Sequence, residues 1–289
     1  MSPAERTTVG LVIPGPAHRI GVEPYFAELV DGIEEVLHPL GCSVLVLVVP
    51  DLTAELATYR RWSRDGTVQL VVVVDLLDDD VRPGVLTDLG LPHVLAAHVD
   101  SPYACTSDVA DDGTRLTEAV RYLARLGHTR LGHVSGPAHL VHTGERRRAI
   151  SRAATDLGVR VETVEGDYTA GSGVDAVGLL LSRPLRPTAV VFDNDVMAVA
   201  ALEHLTADGR DVPGDVSLLS ADDSPLCEVS VPPVSAMTVD VHHRGHRIGR
   251  AVLAVLAGGH ARQPPSPPSQ VVERGTTAAP RLVAAESGG

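Results

Sequence analysis

The residues able to do chemistry in this 289-residue chain gather where short apolar runs end. Leu70–Val74 runs into Asp75, and His93–Leu95 is followed by His98 and Asp100. Asp111 and Asp112 come next, ahead of a helical pattern. Arg130–Val134 leads to Ser135, and Val159–Val164 to Asp167 and Tyr168. Ala189–Phe192 ends in Asp193, Asn194 and Asp195, and Val216–Leu219 in Asp222 and Asp223. Arg146 follows the second Gly/Pro loop, and Asn194 is the sole asparagine of the chain. Carboxylates, one amide, an arginine and a few aromatic rings can grip vicinal hydroxyls by paired hydrogen bonds while offering a flat apolar face. That chemistry suits a sugar or related polyol. Each residue also has a plainer use. Asp and Asn after a strand cap helices, and the run Arg146-Arg147-Arg148 reads as a solvated helix face.

Two patterns point to other chemistry. The DxD of Asp193 and Asp195, after an apolar strand, resembles the first motif of haloacid-dehalogenase-type phosphatases. Asp193 would then be the nucleophile and Asp195 the general acid. Such chemistry calls for a lysine, and all 24 basic residues here are arginine. The same absence excludes a P-loop lysine and a Schiff base. His242, His243 and His246 form HHxxH, half of a metal site, with His243 and His246 on a shared helical face. No carboxylate stands at a familiar spacing and HExxH is absent, so no metal and no cofactor are expected. GxGxxG after a strand, GxSxG and GKS/T are also missing, and the chain is not expected to be an enzyme.

The bulk numbers narrow the class. A formal net charge of −13 repels phosphate backbones, so the chain by itself is not expected to bind nucleic acid. Its three cysteines, Cys42, Cys105 and Cys227, are scattered and suit a reducing compartment. The apolar stretches Cys42–Pro50 and Gln69–Asp75 fall far short of the ~20 residues of a membrane span. The first residues lack the basic start and apolar core of a signal peptide, which places the expected location in the cytoplasm.

The elements that must position these residues follow from periodicity. Strands are predicted at Thr8–Ile13, Ser43–Val49, Leu70–Val74, His93–Leu95, Arg130–Val134, Val159–Val164, Ala189–Phe192, Val216–Leu219 and Gln270–Glu273. Helical spacing marks Tyr25–Leu37 and Thr114–Leu126. Alternating strands and helices imply mostly parallel sheets covered on both faces. The chain also looks doubled, since Thr7–Gly15 and Thr129–Pro137 each run from a strand into a Pro/Gly loop. The expected class is therefore α/β, with two doubly wound parallel-sheet lobes.

Five ordered segments resemble the LacI/GalR transcription regulators. They are Tyr25–Glu34, Leu126–Gly136 (LGHTRLGHVSG), Pro187–Ala198 (PTAVVFDNDVMA), Gly209–Ser217 (GRDVPGDVS) with Ala221-Asp222-Asp223, and Val272–Thr277. The resemblance runs from Thr7 to Pro280. It implies a periplasmic-binding-protein-like fold whose two lobes, residues 1–124 with 240–262 and 125–239 with 263–289, enclose a ligand cleft. Residues Arg244–Leu256 would return to the first lobe as a helix. The implied ligand contacts are Asp112, Arg146, Tyr168, Asn194 and Asp222, joined by Phe192, by Ile20 and Tyr25 of the first lobe, and by His243. The family's Gly three residues after its arginine is Ala149 here. The implied function is an effector sensor for a sugar or polyol, with a nucleoside as another possible ligand. It would act as a homodimer and reach operator DNA through a helix-turn-helix head that this sequence does not contain. The alternative is a solute-binding protein of the periplasmic type.

Overall fold

In the computed structural model, which describes residues 7–15, 24–96, 105–106, 112–259 and 268–281, the chain forms two compact units. One holds the described residues of Met1–Asp111, Leu140–His142 and Asp240–Pro267. The other holds those of Asp112–His139, Thr143–Val239 and Pro268–Gly289.

The first unit is built on β1 (Thr8–Pro14), β2 (Ser43–Val49), β3 (Leu70–Val73), β4 (His93–Leu95) and β5 (Cys105–Thr106). They form one parallel sheet in the order β2-β1-β3-β4-β5. Strands β1 and β3 are nearly unbroken apolar runs and are buried along their length, as strands covered on both faces must be. Around them lie α1 (Pro24–Leu37), α2 (Leu52–Asp65), α3 (Arg82–Asp88) and α9 (Val241–Leu256). Helix α2 starts where Asp51 accepts a hydrogen bond from the Ala54 N–H, and it ends at Gly66, whose φ is 65°.

The second unit repeats the plan. Strands β6 (Arg130–Ser135), β7 (Arg160–Glu165), β8 (Ala189–Phe192), β9 (Ser217–Ser220), β10 (Ser235–Met237) and β11 (Val271–Val272) form a sheet in the order β7-β6-β8-β9-β10-β11. Only β11 is antiparallel to its neighbour. Its helices are α4 (Asp112–Arg125), α5 (Val141–Asp156, whose first two residues count with the first unit), α6 (Ala170–Leu181), α7 (Asp195–Ala207) and α8 (Pro225–Val229). Among the described residues, no helix is long and apolar enough to cross a membrane.

The α/β class and the two parallel sheets match the pattern expected from periodicity. Strands β5 and β10 do not follow from it, because two or three residues carry no readable alternation. The Ser-Ala-Met of β10 is instead held by polar contacts. The Ser235 N–H donates to Thr276 Oγ1 at 2.9 Å, and Ser235 Oγ accepts from the Arg274 N–H at 2.9 Å. These contacts also anchor the tail that carries β11.

The first unit buries an ion cluster that local sequence does not announce. The Arg82 side chain is fully buried and donates to Glu55 at 3.1 and 3.3 Å. It also donates to Asp80 at 2.6 Å and to the Asp75 carbonyl at 2.7 Å. The Tyr59 hydroxyl donates to Glu55 as well. Burial pushes the Glu55 carboxyl up, against the pull of Arg82. Removing one member of such a cluster strands the other charges out of water. Arg82→Leu is expected to destabilise the protein by about 3–5 kcal/mol, read by urea denaturation. A change below about 1 kcal/mol would show that the cluster holds nothing together.

Candidate functional site

In the second unit the chain leaves β6 for β7 on one side and then returns to β8 on the other. The loops after β6 and β8 therefore diverge, and in open parallel sheets ligands bind at such a fork. Ser135 and Gly136 end one branch, and Asp193 and Asn194 end the other. Every sequence-predicted contact of this unit that the structure describes lies on these loops or beside them.

Asp193 builds the frame. It is 0% exposed, and its Oδ1 accepts from His133 Nε2–H at 2.8 Å. Its Oδ2 accepts from the Gly136 N–H at 2.9 Å, and its carbonyl accepts from Arg146 at 3.0 Å. Burial alone would raise its pKa. The pull of His133 and Arg146, with the hydrogen bonds from His133 and Gly136, overcomes that and brings it to about 2. The phosphatase reading is corrected here. Asp193 is closed to solvent and its two oxygens are committed to His133 and the Gly136 N–H, so the carboxylate is not presented to a phosphoryl group.

Asn194 caps α7. Its Oδ1 accepts from the Met197 N–H at 3.0 Å and its amide donates to the Tyr168 carbonyl at 3.1 Å. Tyr168 has φ 68°, in the left-handed region that a bulky residue rarely enters. Its hydroxyl lies 3.2 Å from Thr143 Oγ1. Its ring is pressed so close to Gly136 that a Cβ there would come within 2.1 Å of it. The backbone strain at Tyr168 is thus held by an amide at one end and a glycine face at the other. Arg146 is 5% exposed on α5, so it belongs to the buried side of its helix and not to the solvated run expected of Arg-Arg-Arg.

A second carboxylate pair lies across the ends of β8 and β9. Asp222 accepts from Arg115 at 2.9 Å, and the same guanidinium donates to the Ala221 carbonyl at 2.8 Å. Asp195 is buried, and burial together with the nearby Asp222 charge pushes it up to about 6. Sequence reasoning passed over Arg115 and His133. A histidine inside a buried strand has to find a polar partner, and that was the available signal for His133.

The remaining candidates are placed as follows. Phe192 is fully buried at the end of β8. In the first unit the Tyr25 hydroxyl accepts from Arg244 at 2.7 Å. His243 is partly buried on α9, and its backbone N–H donates to Asp240, the cap of that helix. Ile20 and the side chain of Asp112 lie outside the described residues.

The two neighbours Asp193 and Asp195 should respond to acid in opposite ways. Asp193 titrates below its ordinary 3.8, so its stabilisation is complete above about pH 4 and is lost as pH falls toward 2. The amount is roughly 2 kcal/mol. Asp193→Asn should flatten the acid limb of a stability–pH profile measured by denaturation. An unchanged limb would show that the carboxylate does not carry it.

The chain is similar to known proteins along most of its length. Residues 120–277 match the periplasmic binding protein-like domain family. The chain is 28% identical over 257 residues to the HTH-type transcriptional regulator CelR of Thermobifida fusca, covering 87% of this chain and 75% of that protein. A crystal structure of a LacI family transcriptional regulator from Bifidobacterium animalis superposes with a TM-score of 0.83 at 29% identity, covering 94% of this chain and 98% of the other. A complex of CelR with cellobiose superposes with a TM-score of 0.81 at 26% identity, covering 93% and 84%. These relatives are transcriptional regulators, and the chain belongs to the periplasmic binding protein-like domain family as the effector-binding domain of a LacI-type regulator.

Proposed function

We propose that the effector is a neutral sugar or related polyol, seated over the carboxyl ends of β6, β8 and β9. The observation that carries this reading is that Arg146, Tyr168 and Asn194 gather around Asp193 at the fork of the second unit's sheet, with Asp222 at the end of the adjoining β9. Arg146 is fixed by the Asp193 carbonyl, and Asp222 by Arg115. Held in place in this way, both can meet hydroxyl groups at small entropic cost. Tyr168 supplies the flat face that a pyranose ring packs on. The cellobiose bound by CelR supports a sugar over a nucleoside. Asp112 and Phe192, of the same unit, belong to the same proposal as further contacts.

The protein works without catalysis, as a homodimer in the cytoplasm. Its charge of −13 makes the domain itself a poor ligand for DNA. Operator contact therefore falls to a helix-turn-helix head of the kind that the relatives' names record. The effector acts by shifting the population of the domain's conformations and so the affinity of that head.

A thermal-shift screen of mono- and disaccharides against nucleosides tests the ligand class. One neutral sugar at 100 times its Kd should stabilise the protein by about 2.7 kcal/mol. Asp222→Asn should remove that shift while leaving the unliganded melting temperature within a few degrees. A nucleoside giving the only shift would overturn the sugar reading. Asp195 supplies a second test. Its folded pKa of about 6 exceeds the ordinary 3.8, so the fold favours its protonated form and loses stability as pH rises from about 4 to 6. Asp195→Asn is then expected to raise the melting temperature at pH 7, and a lower value would contradict this origin of the shift.

A further inference from the structure

We propose that Glu35, His242 and His246 form a binding site for one divalent transition-metal ion of the zinc class on the first unit. The HHxxH segment lacks a carboxylate at a familiar spacing in sequence, and the fold supplies one from another helix. His242 and His246 stand one turn apart on α9, with ring centroids 4.7 Å apart. The Nε2 atom of each lies 2.7 Å from the same oxygen, Oε2 of Glu35 on α1. One ligand atom from each residue falls within 4.8 Å of the others. His243, which the sequence pairs with His246, is not part of the group.

The backbone holds this arrangement. Helices α1 and α9 approach through Gly32 and Gly245. A Cβ on Gly32 would lie 2.2 Å from the His242 carbonyl oxygen, and one on Gly245 would lie 2.4 Å from that of Leu29. Below the contact, Leu29, Ile33, Ile248 and Val252 are buried and lock the helices together. Glu35 follows Gly32 by one turn and so faces the turn that carries both histidines. A carboxylate also flanks the first ring, since Asp31 Oδ2 lies 3.5 Å from His242 Nδ1. An imidazole held in this way on its outer nitrogen presents the lone pair of Nε2 to a metal.

Two imidazole nitrogens and one carboxylate oxygen form a ligand set suited to Zn2+, with metal–ligand bonds of about 2.0–2.1 Å. Borderline nitrogen donors favour Zn2+, Ni2+ and Cu2+ over Mg2+ and Ca2+. Tetrahedral bonding needs the three atoms roughly 3.3 Å apart. Rotation of partly exposed side chains supplies that opening, the side chains being 61% exposed for Glu35, 32% for His242 and 23% for His246. Water completes the coordination from the open side. Without a metal, both rings must instead share N–H donation to a single oxygen. The ion would clasp α1 to α9, two helices more than 200 residues apart in sequence. The site shares no residue with the effector site proposed above.

The test uses the untagged chain freed of metal by chelator, titrated with Zn2+ against a chromophoric chelator and with Co2+ by visible absorption. One ion per chain should bind, and Zn2+ should raise the melting temperature. His246→Ala and Glu35→Gln should each weaken binding about tenfold or more. His204→Ala, on α7, should bind as wild type does, and circular dichroism should show all variants folded. Zn2+ affinity unchanged in the His242→Ala/His246→Ala double variant would overturn the proposal. So would no binding of Zn2+ to the wild type at concentrations up to about 100 µM.

Discussion

The second unit is organised around a carboxylate that never meets solvent. Asp193 joins strand β6 through His133, the loop after β6 through the Gly136 N–H, and helix α5 through Arg146. A charge this deep survives only when each oxygen is matched by a donor, so the three elements must meet in one geometry. The candidate contacts inherit that geometry. Arg146 is aimed by its bond to the Asp193 carbonyl. Gly136 carries the Tyr168 ring, and Asn194 follows Asp193 directly as the cap of α7. Loosening Asp193 would loosen the candidate contacts together.

Asp193 and Asp195 are two residues apart and lie at opposite ends of the carboxylate range, at about 2 and about 6. The contrast comes from partners and not from depth, because both are buried. Asp193 faces an imidazole, a guanidinium and an N–H. Asp195 has Asp222 for a neighbour. The first carboxylate contributes to stability. The second costs stability when ionised, which a hydroxyl donor arriving beside it would relieve. One fully paired carboxylate and one strained carboxylate thus stand two residues apart on the chain.

The first unit shares the strand plan but settles its polar groups differently. Its fork lies between β1 and β3, and beside it Arg82 collects Glu55, Asp80 and the Asp75 carbonyl into a closed cluster. The same topology thus frames an ion cluster in one unit and a candidate effector site in the other. The fold supplies the fork, and the side chains placed at it decide what it does.

Much of this was legible in the chain itself. Apolar runs and helical spacing are local properties, so β1, β2, β4 and β8 and helix α1 sit within a residue of where periodicity puts them. Ordered segments such as PTAVVFDNDVMA carried the family, and the carboxyl ends of the strands marked where polar residues would matter. Sequence could not tell Asp193 from Asp195, because the difference lies in His133, Gly136, Arg146 and Asp222, all distant along the chain. Its periodicity could not place Arg146 on the buried side of a run of three arginines, where the family resemblance alone singled it out, since the neighbouring strand decides which face is covered. It left HHxxH without a carboxylate, and Glu35 arrives from 207 and 211 residues away because two glycines let α1 and α9 touch. Periodicity is written locally, whereas charge, coordination and pKa depend on what the fold brings alongside.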